Sequence, residues 1–163
     1  MPSRAQFVIL AASLALPVSA VAQPAPTLLE SYGRMVALVD YMTGHVGELL
    51  LACAARGVLT EQQAEARYQA YRGRNAAPLE RAEAWRQAAE KRLQARGEEG
   101  AAQRLADESS FGALAAASIR AQEEVGKAAD ARAACAVRLA AIESGRCDLS
   151  VNAELVGLLK GNP

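Results

Sequence analysis

The side chains that could do chemistry are few. His45 is the only histidine; Glu48 follows three residues later and Asp40 precedes it by about a turn. On a helix, positions three apart share a face, so His45 and Glu48 could supply two metal ligands. Zinc takes about four, mostly Cys and His. There is no second histidine, no Glu-x-x-His pair on two helices and no CxxCH for covalent haem. The pair therefore reads as a surface or seam-edge imidazole beside a carboxylate. Only His45 could act as the usual base of a hydrolase, and no serine sits in a GxSxG turn. Phosphate-cradling GxGxxG and P-loop patterns are missing as well. The adjacent carboxylates Glu98-Glu99 and Glu123-Glu124 read as solvated loop and outer helix face. Together these features predict no catalytic residue, no metal and no cofactor, hence a protein that is not an enzyme.

The three cysteines, Cys53, Cys135 and Cys147, point to structure instead. A disulfide is expected in an exported chain, and three thiols leave one over. Cys53 lies near the end of a first helix, and the C-terminal end of a third helix would sit beside it. Cys135 lies about 15 Å before the stop of that helix, and two residues beyond the stop reach back only about 7 Å, so Cys135–Cys147 is the awkward pair. Cys53–Cys135 is preferred because both occupy inward seam positions, with Cys147 as the alternative partner of Cys53. The remaining thiol is either buried or able to bridge two copies, so a homodimer is allowed. It has no neighbouring histidine or CxxC partner to activate it.

The second helical stretch, Thr60 to Gly97, is basic. Arg67, Arg72, Arg74, Arg81 and Arg86 lead eight cations against five glutamates, with Tyr68, Tyr71 and Trp85 among them. One reading is a partner surface for an acidic segment or anionic lipid. The other is an ordinary solvated face with the aromatics turned inward, helped by pairs such as Arg86 with Glu90.

The segment Leu59-Thr60-Glu61-Gln62-Gln63 fits the pattern LTxxQ. In that motif the chain resembles small periplasmic stress proteins and chaperones of the Spy and CpxP kind. The resemblance implies an exported, helical, arginine-rich protein that binds unfolded clients as a dimeric cradle. A second copy of the motif is usual in that family; the comparable place here reads Leu149-Ser150-Val151-Asn152-Ala153, with Ala where Gln belongs, and the cysteines depart from the family pattern.

The elements that must position these residues are helical. The chain has 163 residues, 52% of them hydrophobic but only 4% aromatic, which excludes a mainly β domain and a wholly disordered chain. The 18 basic and 18 acidic side chains argue against a nucleic-acid binder. Residues 1–22 read as a secretory signal: Arg4, an apolar run from Phe7 to Leu16, and Ala20-Val21-Ala22 with cleavage after Ala22. The run is broken at Pro17, short of the roughly 20 residues of a transmembrane anchor. Abundant Ala and Arg suit a GC-rich bacterium, so the expected compartment is the periplasm. Residues 23–27 are an extended linker and 28–163 one domain.

Apolar residues at three-four spacing run from Leu29 to Cys53, from Ala64 to Leu93 and from Phe111 to Ile142. The second run carries a kink or a break at Gly73–Pro78, with Asn75 as a fresh N-cap. The third is unbroken, starts near Ala101 or only near Ser110, and stops at Gly145. A short helix from about Val151 to Leu159 follows an N-cap at Ser150. The expectation is an all-α, disulfide-tethered antiparallel bundle of three long coiled-coil-like helices with a C-terminal lid helix. It would act by contact with a protein partner in the cell envelope.

Overall fold

The computed structural model describes residues 25–161 and Pro163. The expected signal over 1–22, its cut after Ala22 and the first two linker residues lie outside the described residues; positions 25–27 are non-helical. The described residues form six α-helices, one π turn and one 3-10 turn, with no strand among them, so the protein is all-α.

Helix α1 spans Leu28–Ala55. Thr27 opens it through a capping box, its hydroxyl accepting from the Glu30 N–H while the Glu30 carboxylate accepts from the Thr27 N–H. Gly57, at φ +68°, closes it, and the Val58 N–H bonds back to the Cys53 carbonyl. Helix α2, Glu61–Arg74, begins with the same device, built from Thr60 and Gln63. Helix α3 covers Ala76–Ala95, with Pro78 in its first turn. Helix α4 runs Glu99–Ala121 and passes into the π turn Gln122–Gly126. Helix α5 is Ala131–Glu143, the 3-10 turn Leu149–Val151 follows, and α6 is Ala153–Lys160.

Side-chain contacts fix the directions. Gly47 of α1 meets Tyr68 of α2, and Tyr32 meets Glu90 of α3, so α2 and α3 descend where α1 climbs. Gly33 meets Leu105 and Gly44 meets Leu114, so α4 runs parallel to α1. Arg67 pairs with Glu143 and Asn75 with Leu149, so α5 descends beside α2. The chain therefore goes up, down, up and down again, not up-down-up in three long helices. All five other α-helices pack on α1, and from Met35 to Leu50 none of its residues is exposed. By length and composition alone α1 could also cross a bilayer.

Three expectations need correction. The third long helix is not continuous: after the π turn the chain leaves helical geometry, and Asp130 caps α5 by accepting from the Ala133 N–H. The inward stripe of α4 is Ala102, Ala113, Ala117 and Ala121, while Phe111 is 79% and Leu114 47% exposed. At Gly33 and Gly44 of α1 an added Cβ would lie 2.8 Å from Leu105 and Leu114 respectively, so the two glycines let leucines of α4 come close to the α1 backbone. The last helix is capped by Asn152, which accepts from the Leu155 N–H, and not by Ser150. Its Leu155 is fully buried, with Leu158 and Leu159 packed against the same core.

The break after α2 falls at Asn75, as expected, but its side chain does not cap α3. Asn75 is 1% exposed and bridges elements instead. Its amide donates to the Tyr71 carbonyl (2.9 Å) and to Asp148 (3.1 Å), and its Oδ1 accepts from the Leu149 N–H (2.7 Å). Buried polar atoms need such partners, and here they hold the C-terminal segment to the α2–α3 junction.

Candidate functional site

Cys53 and Cys135 form a disulfide, joining α1 to α5 with a Cα–Cα distance of 5.8 Å. Cys147 is the unpaired, half-buried thiol; burial pushes its pKa up, as does the neighbouring Asp148 carboxylate.

His45 does not pair with Glu48. The Glu48 carboxylate accepts from the Ser118 hydroxyl (3.2 Å), and the His45 Nε2 lies 3.4 Å from Glu124. The imidazole stacks on Tyr41 at 5.6 Å between centroids, and its Nδ1 is 3.4 Å from the Ala117 carbonyl. Glu124 is not solvated surface either: its side chain is only 8% exposed, while Glu123 stays in solvent. The π turn, which inserts an extra residue per turn, rotates Glu124 inward. There it also meets the guanidinium of Arg120 (2.6 Å) and that of Arg138 (3.1 Å). Two cations and an imidazole thus converge on one carboxylate and tie α1, α4 and α5 together. The sequence signal for this cluster was weak, because its members come from four elements. No group of three or more His, Cys, Asp or Glu side chains placed to hold a metal ion occurs among the described residues.

The arginines of α2 and α3 are largely engaged within the fold. Arg67 pairs with Glu143. Arg74 donates to the Ile142 carbonyl (2.6 Å) and reaches Asp148. Arg86 holds Glu83 and, as expected, Glu90, both at 2.9 Å; these bonds, that to Glu83 foremost, raise its pKa and lower that of Glu83. Arg72 and Arg81 point into solvent. Tyr71 and Trp85 are turned inward, and Tyr68 stacks on Tyr71.

The feature that sequence reasoning missed is a groove. One stripe of α1 (Val36, Asp40, Gly44, Gly47 and Leu51) forms its floor; the lower and middle parts lie between α4 and the α3–α2 line, and the upper part is bordered by α2. Its middle is a cleft of about 510 Å³ floored by Met35, Val36 and Val39, with Arg72 and Asp107 on its rims. Below, about 430 Å³ opens around Tyr32 and Gln103; above, about 450 Å³ lies between Gly47, Leu51 and Tyr68. The floor from Tyr32 to Leu51 is about 28 Å long at the helical rise. Tyr32 anchors the lower end by donating to Glu90 (2.7 Å); burial first, then that bond, pushes its phenol up to about 12. Phe111, Leu114 and Ile119 are exposed large apolar side chains of α4. Residues on five helical turns of α1 line it, yet the floor positions alternate with core positions, so no single run of sequence marks it.

No family model, curated protein or solved structure matches this chain. The groove and the buried cluster are therefore read from their own chemistry.

Proposed function

We propose that this is an exported, periplasmic, non-enzymatic protein that works by seating a segment of a protein partner in the groove along α1. The observation that carries the reading is the groove itself: a floor about 28 Å long, apolar at Val36, Val39 and Leu51, open to solvent and rimmed by polar groups. Binding of an amphipathic helix in a groove is a common recognition mode. The disulfide fits an oxidising compartment, and rigid helices on both sides present the floor without a change of fold.

Site-specific photocrosslinking in cells tests the reading. A photoreactive residue at Asp107 or Glu65, on the two rims, should capture the same single species. The same probe at the exposed α5 positions Ala136 or Ala140 should capture none. Equal capture from α5 would mean that the groove is not the contact surface.

A second reading, a chaperone cradle, is favoured by the 79% exposure of Phe111 on α4. It requires that the protein suppress aggregation of a denatured client and that Phe111→Ser abolish the effect.

A further inference from the structure

The charge on the groove says what kind of segment it takes; the argument rests on the groove reading above. Its lining holds eight carboxylates and three cations, although the whole chain carries 18 of each sign. Arg86 is held by Glu83 and Glu90, which leaves six carboxylates against Arg72 and Lys91. The upper third has Glu48, Glu61 and Glu65 and no cation at all. In the middle, the half-buried Asp40 and the exposed Asp107 line the same cleft. Such a rim repels an anionic membrane and an acidic peptide alike, and it attracts positive charge.

The floor supplies the other half of the specification. Val36, Val39 and Leu51 are apolar, and Leu114 over Gly44 and Tyr68 over Gly47 add apolar surface beside them, so a ridge of large apolar residues can lie along this stripe. At Gly47 an added Cβ would lie 3.5 Å from a ring carbon of Tyr68, so the Tyr68 ring packs over the floor there. We infer that the groove binds a cationic amphipathic helix of about 18 residues, its apolar edge on the α1 stripe and its lysines or arginines against the carboxylates of both rims. A second copy of this chain does not fit that description. Its basic residues concentrate on α2 and α3, whereas its exposed large apolar side chains are Leu51, Phe111, Leu114, Ile119, Val137 and Val151, none of them on those helices.

The test uses two fluorescent synthetic helices of identical leucine pattern, one with lysine and one with glutamate at the polar positions. Each is titrated by anisotropy against the disulfide-bonded protein. The lysine peptide should bind at least tenfold more tightly, and its affinity should fall as salt rises. Neutralising Glu48, Glu61 and Glu65 to Gln together should weaken it about tenfold. Gly47→Trp, which fills the floor, should abolish binding, with helicity and the disulfide checked for each variant. If the glutamate peptide binds equally or better and Gly47→Trp still blocks it, the groove stands and the cationic partner is refuted. If neither peptide binds, or Gly47→Trp has no effect, the groove reading falls with it.

Discussion

Three glycines on two helices should respond to the same substitution with different signs. Gly33 of α1 faces α4, where an added Cβ would lie 2.8 Å from the Leu105 Cδ2, 2.9 Å from its Cγ and 3.3 Å from the Ser109 hydroxyl. Gly33→Ala gains about 1 kcal/mol of helix propensity but overpacks the contact at a cost of about 1–3 kcal/mol. A net loss of about 1 kcal/mol is expected, or about 4 °C in Tm for a chain of this size. Gly112 of α4 has nothing within 4 Å of an added Cβ. Gly112→Ala should therefore stabilise by about 1 kcal/mol. Gly44 lies between these cases, because only the tip of the exposed Leu114 is in the way at 2.8 Å, and Gly44→Ala should be near neutral. The assay is urea unfolding followed by circular dichroism under oxidising conditions. Combining Gly33→Ala with Leu105→Ala should remove the overpacking, so the pair should be non-additive by about 1–2 kcal/mol. If Gly33→Ala stabilises as much as Gly112→Ala, or if the coupling is absent, α4 does not lie along α1 and the groove loses one wall.

Reduction of Cys53–Cys135 opens a loop of sequence separation 82, which should cost roughly 4.5 kcal/mol in the chain-entropy picture; urea midpoints with and without reductant measure it, using Cys147→Ser to prevent reshuffling, a change that should itself have little effect. Asn75→Ala leaves the Leu149 N–H and the Asp148 carboxylate without their buried partner and should cost about 2–3 kcal/mol, read by thermal melting; a loss under 0.5 kcal/mol would mean that the bridge is not formed. Stability should also fall in acid. Glu30 is held below its ordinary 4.5 by its bonds to Thr27, and Glu83 is held below 4.5 by Arg86. A lowered carboxylate contributes in full above its unfolded pKa, and the contribution is lost as pH drops through the folded value. Midpoints measured from pH 6 down to 3 should decline below about 4.5, and Glu83→Gln should flatten part of the slope.

Much of the helical order was legible because the first two apolar runs obey a three-four rhythm that one neighbour does not disturb. Tyr32, Val46, Leu50 and Cys53 are buried on α1, and Ala64, Tyr71, Ala82, Trp85, Ala89 and Leu93 on α2 and α3. Thr60 and Gln63 announced a helix start by local chemistry alone. The third run was misread for a physical reason. Phe111 and Leu114 fit the rhythm as well as Ala113 and Ala117 do, and the choice between stripes is made by how α4 packs along α1, which its own sequence does not display. The π turn also preserves the apparent period while turning Glu124 inward, so neither the chain reversal nor the His45–Glu124 contact was visible. The groove, built from three separate stretches, becomes apparent only once α4 is known to run parallel to α1.

The central claim is that the α1 stripe between α4 and the α3–α2 line is the binding surface. Backbone amide NMR shifts, followed while the captured partner or the lysine peptide is titrated, test it most directly. The account predicts changes centred on Val36, Asp40, Gly44, Gly47 and Leu51, with the α5 and α6 amides unmoved. Changes centred on α5 or α6, with the α1 stripe silent, would contradict it.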